Sequence, residues 1–265
     1  MKNYQKINQA AWEEAFAKSS EDFKMKPIQK LKEDPTSLLS HPLREALKSV
    51  DLNGKVLGHF CVNSGRETMA LLNYGLKRSV GFDIAENMVV YANQVSQDLN
   101  LDATFYARDI LAIEDTFKSQ FDIGLFTIGA LCWFEDLDAL FKVVAKTIKS
   151  GGTLIIEDSH PITNMLGTNG EAEYDEKNPK KLVHNYFKND PWVEGGGMGY
   201  MGDNNKASKT FISYSHTLTE VFKTLKQNGF IIEAFSEYQK DLSNLFLHLE
   251  NQGIPLSYTM VLKKR

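Results

Sequence analysis

Val56-Leu57-Gly58-His59-Phe60, Ser79-Val80-Gly81-Phe82-Asp83 and Phe121-Asp122-Ile123-Gly124-Leu125-Phe126 are three short apolar runs separated by stretches with helical spacing. Strands that alternate with helices form a parallel sheet, because each helix carries the chain back to start the next strand in the same direction. Extended outward, the rhythm predicts strands at 55–60, 79–83, 103–107, 121–127 and 153–157 and helices at about 66–75, 86–97 and 136–149. A connection fills 111–119, and a Gly151-Gly152 turn precedes the fifth strand. The second strand stops on Asp83, 18 residues past Gly65. A carboxylate so placed accepts hydrogen bonds from ribose hydroxyls at the carboxyl edge of a sheet, which makes a nucleoside-containing cofactor the leading reading.

Before this core, residues 1–50 carry no strand pattern. Ile7, Ala11, Trp12, Ala15 and Phe16 recur at helical spacing, as do Leu38, Leu39, Leu43, Ala46 and Leu47 ahead of the Asn53-Gly54 turn. A helical N-terminal extension is expected there, and an α/β domain over 51–265. The stretch 161–208, with Gly167, Gly170, Pro179, Gly195-Gly196-Gly197, Gly199 and Gly202, breaks the alternation and reads as an irregular inserted lid. Thr210–Ser215 alternates like a strand. Thr217 and Glu220 have capping-box spacing for a helix ending near Asn228-Gly229, and strands follow at 230–234 and 257–262.

Composition narrows the function classes. With 42% hydrophobic residues in 265, the chain can bury a sizeable core. Its 30 basic and 34 acidic side chains give a formal charge of -4, with no basic block beyond Lys263-Lys264-Arg265, so nucleic acid is not expected as a partner. Cys61 and Cys132 stand 71 residues apart, which fits neither a disulfide scaffold nor a metal pair. They suit a reducing cytoplasm. The opening residues are polar and amphipathic, and no apolar run approaches a membrane span, so a soluble protein is expected.

Residues that follow parallel strands converge on one crevice. After the first come Cys61-Val62-Asn63-Ser64-Gly65, whose amides, with the start of the next helix at Arg66, can wrap a polar ligand. Asp109, after the third, can accept from a purine amino group. Phe82, Ile84 and Ile110 can supply apolar faces, and Thr127-Ile128-Gly129-Ala130 a floor. Each acid has a blander reading as a helix cap or surface group, and Gly65 one as a plain turn; their joint spacing favours the ligand.

These landmarks resemble class I S-adenosylmethionine-dependent methyltransferases. The likeness is carried by Gly54-Lys55-Val56-Leu57 with Gly65-Arg66-Glu67-Thr68, by Val80-Gly81-Phe82-Asp83-Ile84, by Ala107-Arg108-Asp109-Ile110, by Phe121-Asp122-Ile123-Gly124, and by Ser150-Gly151-Gly152-Thr153-Leu154. It covers residues 50–160 and, as the last helix and strands, 217–262. Ala130–Leu137, with Trp133, is similar to a small-molecule subgroup. The resemblance implies a Rossmann-like, seven-stranded, mostly parallel sheet with flanking helices, and S-adenosylmethionine as cofactor. It implies that the Gly65 loop lies near the methionine part, Asp83 binds the ribose, Asp109 faces adenine, and Thr127–Ala130 line the methyl side. The chain departs from the family at His59, where an acid is usual, and at Cys61 and Asn63, where glycines are usual. A Cβ there restricts close approach, and Asn tolerates left-handed backbone better than Cys. His59, Cys61, Asn63, Gly65, Asp83, Ile84, Asp109, Ile110 and Thr127 are the expected cofactor residues.

Methyl transfer needs alignment and sometimes a base. His160, after the fifth strand, and His216, before the capping box, are the candidate bases; each has a structural alternative, as a lid-bonded histidine or as helix-start chemistry. Trp133, Tyr186, Trp192 and Tyr200 are candidate substrate contacts or lid anchors. Metal binding by His59 and Cys61 is not expected, nor is a cysteine nucleophile. The expected function is methyl transfer to a small-molecule acceptor. A non-catalytic cofactor-binding or regulatory protein on the same frame, and a nicotinamide-dependent oxidoreductase, are the alternatives. The latter lacks a Gly-x-Gly-x-x-Gly run. The acceptor atom and oligomeric state are not legible.

Overall fold

The computed structural model describes residues 3–202 and 208–265; residues 203–207 of the expected insertion lie outside the described residues. The alternating core begins with β1 (Val56–Phe60), α4 (Arg66–Ala70), β2 (Arg78–Asp83), α5 (Glu86–Asp98) and β3 (Ala103–Ala107). It continues with β4 (Phe121–Phe126), α6 (Leu137–Thr147) and β5 (Ile148–Ser159), then α7 (Leu218–Gln227), β8 (Phe230–Tyr238) and β9 (Ser257–Lys264). These strands form a seven-stranded sheet in the order β3-β2-β1-β4-β5-β9-β8. The first five are parallel. Only β9 runs against its neighbours β5 and β8. The expected sheet is therefore present, with its order reversing between β1 and β4, where a crevice opens at the carboxyl edge.

Both faces of the central strands are buried, which is why they read as continuous apolar runs. Phe60, Phe82, Phe126, Leu154 and Ile156 face α6, while Leu57, Ile123, Leu125 and Ile155 face the opposite layer. Phe60 and Phe82, paired across β1 and β2, stack with ring centroids 5.9 Å apart. The helix α6 follows from its sequence: Leu137, Leu140, Phe141 and Val144 recur on one buried stripe, and the Asp136 carboxylate accepts from the Ala139 N–H at 3.0 Å. Removing one such ring, as in Phe141→Ala, costs about 3–5 kcal/mol in a core of this kind.

Several boundaries differ from the sequence reading. The helix after Gly65 is α-helical only to Ala70 and tightens into a 3₁₀ turn over Leu71–Tyr74. The strand expected at 153–157 begins at Ile148, because Ile148 pairs with Phe121 before the register shifts past Gly151-Gly152. At α7 only half of the capping box forms: the Thr217 hydroxyl accepts from the Glu220 N–H at 3.1 Å, whereas the Glu220 carboxylate lies 3.1 Å from His216 Nδ1.

The N-terminal extension is helical, as expected: α1 (Asn3–Ala17), α2 (Glu21–Glu33) and α3 (His41–Leu47). In the inserted segment, β6 (Trp192–Glu194) and β7 (Phe211–Ser213) make a separate antiparallel pair. Asn8 of α1 clamps this pair, its amide donating to Ile212 O at 2.8 Å and accepting from Ile212 N–H at 2.7 Å. Among the described residues no helix is long and apolar enough to cross a membrane.

Candidate active site

Two cavities open at the carboxyl edge of the sheet. The first, of about 110 Å³, is floored by Cys61, Asn63, Asp83, Ile84, Asp109, Ile110 and Ile128–Ala130, and roofed by Gln5, Asn8 and Trp12 of α1 with Trp133, Phe134 and Tyr200. Asp83 is buried, and its carboxylate accepts from the Asn63 N–H at 2.7 Å and the Ala85 N–H at 3.0 Å. Burial pushes its pKa up to about 6, against the pull of those N–H groups. Asp109 accepts from the Leu111 N–H at 3.0 Å and from the Gln5 side-chain amide at 2.9 Å, and burial raises its pKa too.

The loop after β1 takes the left-handed backbone that its departure from glycine made a concern. Cys61 has φ 61° and Asn63 has φ 54°. Such a conformation costs a non-glycine residue about 1–2 kcal/mol. Asn63 offsets part of that with its side chain, which accepts from the Ser64 N–H at 2.8 Å and donates to Tyr200 Oη at 3.0 Å. Gly65, at φ 75°, packs on the sheet: an added Cβ would lie 2.6 Å from the Phe105 ring.

The second cavity, of about 220 Å³, lies beyond Gly129, which lines both. Its walls come from the turn after β4 (Leu131, Cys132), from Asp158 and Ser159, from the insertion (Glu171, His184, Trp192, Glu194), and from the segment between β8 and β9 (Ser243, Leu245, Phe246). Asp158 organises the partition: its carboxylate accepts from the N–H groups of Gly129 at 2.8 Å, Leu131 at 3.2 Å and Ser159 at 2.7 Å. His216 lines this cavity and donates from Nε2 to the Phe134 carbonyl at 2.8 Å. That bond makes Nε2 the donor nitrogen and leaves Nδ1 facing Glu220 Oε1 at 3.1 Å.

A family model described as a methyltransferase domain matches residues 53–195, more than half of the chain. The chain belongs to the methyltransferase-domain family. It has the class I S-adenosylmethionine-dependent methyltransferase fold, and its cofactor is S-adenosylmethionine. An uncharacterized protein of Haemophilus influenzae is 27% identical over 217 residues, covering 79% of this chain and 81% of that protein. A crystal structure of an S-adenosylmethionine-dependent methyltransferase from Mesorhizobium loti superposes with a TM-score of 0.62 at 17% identity, covering 88% of this chain and 100% of the other. Geranyl diphosphate C-methyltransferase of Streptomyces coelicolor A3(2), solved with Mg2+, geranyl-S-thiolodiphosphate and S-adenosyl-L-homocysteine, superposes with a TM-score of 0.64 at 10% identity, covering 100% and 99%. The family decides for methyl transfer over the nicotinamide and non-catalytic readings.

Within this methyltransferase, Cys61, Asn63, Asp83, Ile84, Asp109 and Ile110 all line the first cavity. Three expected cofactor residues do not. Gly65 faces Phe105, while His59 and Thr127 lie beneath the floor, His59 bridging Thr68 Oγ1 at 2.7 Å and Thr127 Oγ1 at 3.0 Å. Burial lowers the His59 pKa to about 4, so the ring is a neutral strut joining β1, α4 and the end of β4. Of the candidate substrate residues, Trp192 lines the second cavity, Trp133 and Tyr200 line the first, and Tyr186 lines neither, its hydroxyl instead accepting from the Leu218 N–H at 3.3 Å.

The expectation for His160 needs correction. It lines neither cavity. Its Nδ1 accepts from the Ile162 N–H at 3.2 Å, capping the 3₁₀ turn Pro161–Met165, and Nε2 faces Glu237 at 3.0 Å. Asp158, two residues earlier and passed over by the sequence reading, lines the second cavity together with Ser159 at the end of β5, whereas His160 lies past the strand and caps the next turn. Burial raises both cysteine thiol pKa values. Gln5 and Asn8 were also missed; two amide side chains at i and i+3, in line with the apolar positions Ala11, Ala15 and Phe16 of α1, were the available signal.

Proposed function

We propose that the first cavity holds S-adenosylmethionine, that the second holds the small-molecule acceptor, and that the methyl group passes at Gly129. The supporting observation is that Gly129 lines both cavities, has φ 75°, and carries nothing within 4 Å of where a Cβ would stand. The residues fit the cofactor. Each Asp83 oxygen takes one N–H and keeps acceptor capacity for a ribose hydroxyl, and Ile84 and Ile110 offer apolar faces to a ring. Asp109 can accept from an adenine amino group alongside or in place of Gln5. When bound, the cofactor supplies a methyl group on a positively charged sulfur, and an acceptor lone pair displaces that sulfur as a neutral thioether. Asp158 holds the partition turn, and His216 is the base that takes an acceptor proton at Nδ1. The turn and the buried walls align acceptor and methyl group, which is the larger share of catalysis for a displacement.

Calorimetry with S-adenosylmethionine tests this reading. Asp83→Ala removes two charge-assisted hydrogen bonds and should weaken binding by about 2–4 kcal/mol while the fold persists. Unchanged affinity in the folded variant, or no saturable binding by the parent protein up to millimolar cofactor, would place the cofactor elsewhere.

A further inference from the structure

We infer that the second cavity selects an acceptor that carries a cationic amine on an apolar, ring-sized body. This rests on the reading of that cavity as the acceptor site. The wall carries three carboxylates, Asp158, Glu171 and Glu194, and no lysine or arginine side chain among its described residues. The three differ in how far the protein satisfies them. Asp158 is buried and holds three backbone N–H groups, so it is committed to the partition. Glu171 accepts from the Thr168 N–H at 2.7 Å and stands 3.3 Å from His184 Nε2. Glu194, at the exposed rim on β6, has no hydrogen bond or ion pair from its carboxylate among the described residues, and it feels the like charge of Glu171, which His184 partly offsets. A bound cation relieves that repulsion, whereas an anion adds to it.

A second, independent feature points to a ligand in the same space. His216 is 8% exposed, lines the cavity, and its Nδ1 has no hydrogen-bond partner; Glu220 Oε1, 3.1 Å away, lies off the hydrogen-bond line. A buried polar nitrogen left unpaired costs about 1–3 kcal/mol, which a polar ligand atom would offset. The remaining wall mixes hydroxyl and amide side chains with aromatic rings, those of Trp192, Tyr214, Phe246 and Tyr258. Aromatic faces attract ammonium groups, as the Trp192 ring already does with Lys188 Nζ at 4.9 Å.

The same wall argues against a diphosphate like that bound by the Streptomyces coelicolor enzyme. No group of three or more His, Cys, Asp or Glu residues among those described could hold a metal ion, so the carboxylates are spread along the wall instead of gathered to recruit a cation for a phosphate. The cavity of about 220 Å³ has room for a phenyl ring with a short chain.

Three probes of one shape separate the possibilities: phenylethylamine, phenylethanol and phenylpropionate, titrated calorimetrically into the full chain saturated with S-adenosylhomocysteine. The amine should bind roughly tenfold or more tightly than the alcohol, with the carboxylate weakest. Glu171→Gln with Glu194→Gln should erase the order while leaving S-adenosylhomocysteine affinity and the melting temperature close to those of the parent. Equal binding, a reversed order, or no binding by any probe while S-adenosylhomocysteine still binds overturns this inference alone. Failure of S-adenosylhomocysteine itself to bind overturns the assignment of the first cavity on which it rests.

Discussion

The two cavities differ in what builds them. The first is made mostly of strand ends and the turns that follow them: Asp83 closes β2, Asp109 follows β3, and Cys61 and Asn63 follow β1. The second takes Gly129, Leu131, Cys132, Asp158 and Ser159 from the strand edge, and most of the rest from the insertion, the start of α7 and the β8–β9 connection. On the proposed assignment, the cofactor is served by positions that the sheet fixes, while acceptor choice falls to irregular segments that can change without disturbing the sheet. Mutations in the two cavities should therefore separate cofactor affinity from turnover and acceptor selection.

The sharpest break is expected at His216. His216→Ala should lower methyl transfer, followed as S-adenosylhomocysteine formed, by roughly 10² while S-adenosylmethionine affinity is kept. His160→Ala should instead lower the melting temperature through loss of its 3₁₀ cap and leave the pH profile of turnover in place. Equal losses of turnover in both variants would remove the distinction between them.

A smaller effect is expected where the cavities meet. At Gly129→Ala the new methyl group would enter open space between the sites, so turnover should fall on the order of tenfold with cofactor affinity nearly unchanged. Part of any stability loss, about 1 kcal/mol, would come from the left-handed backbone. A fully active, folded variant would mean that the methyl group does not pass there.

The pH dependence of the cofactor site follows from Asp83, whose folded pKa is raised from 3.8 to about 6. As pH falls through about 6 the carboxylate takes up a proton and loses its value as an acceptor, so affinity at pH 5 should be about tenfold below that at pH 7. For stability the sign is opposite: this group's contribution is present below its unfolded pKa and is lost as pH rises through about 6. His59 works the other way, because its folded pKa is depressed from 6.5 to about 4. Its contribution is present above pH 6.5 and is lost as pH falls through about 4. Calorimetry across pH 5–8 with Asp83→Asn as control checks the binding arm: a flat parent profile would contradict the assigned role.

The smallest change is expected in the loop after β1. Cys61→Gly relieves a left-handed non-glycine residue and should raise stability by about 1 kcal/mol or less. Adding Asn63→Gly should give back part of that gain, since the bond to Tyr200 is lost. A thermal melt of the single and double variants compares them directly.

The parallel sheet was legible because its strands are buried on both faces and therefore nearly uninterrupted in apolar residues. Asp83 and Asp109 were legible by position, since an acid that ends a strand, or stands two residues past one, marks the sheet edge. The acceptor wall was not, because Glu171, His184 and Glu194 sit in a segment without periodicity, brought to Asp158 by the pairing of β6 with β7. Nor did spacing reveal that Tyr200, placed with the substrate residues, would bond to Asn63.

The Asn8 amide that pairs with both polar groups of Ile212 ties the roof of the first cavity to the strand pair that borders the second. Lifting α1 alone breaks two hydrogen bonds, at a cost of about 1 kcal/mol each, whereas swinging α1 and β7 outward together breaks neither.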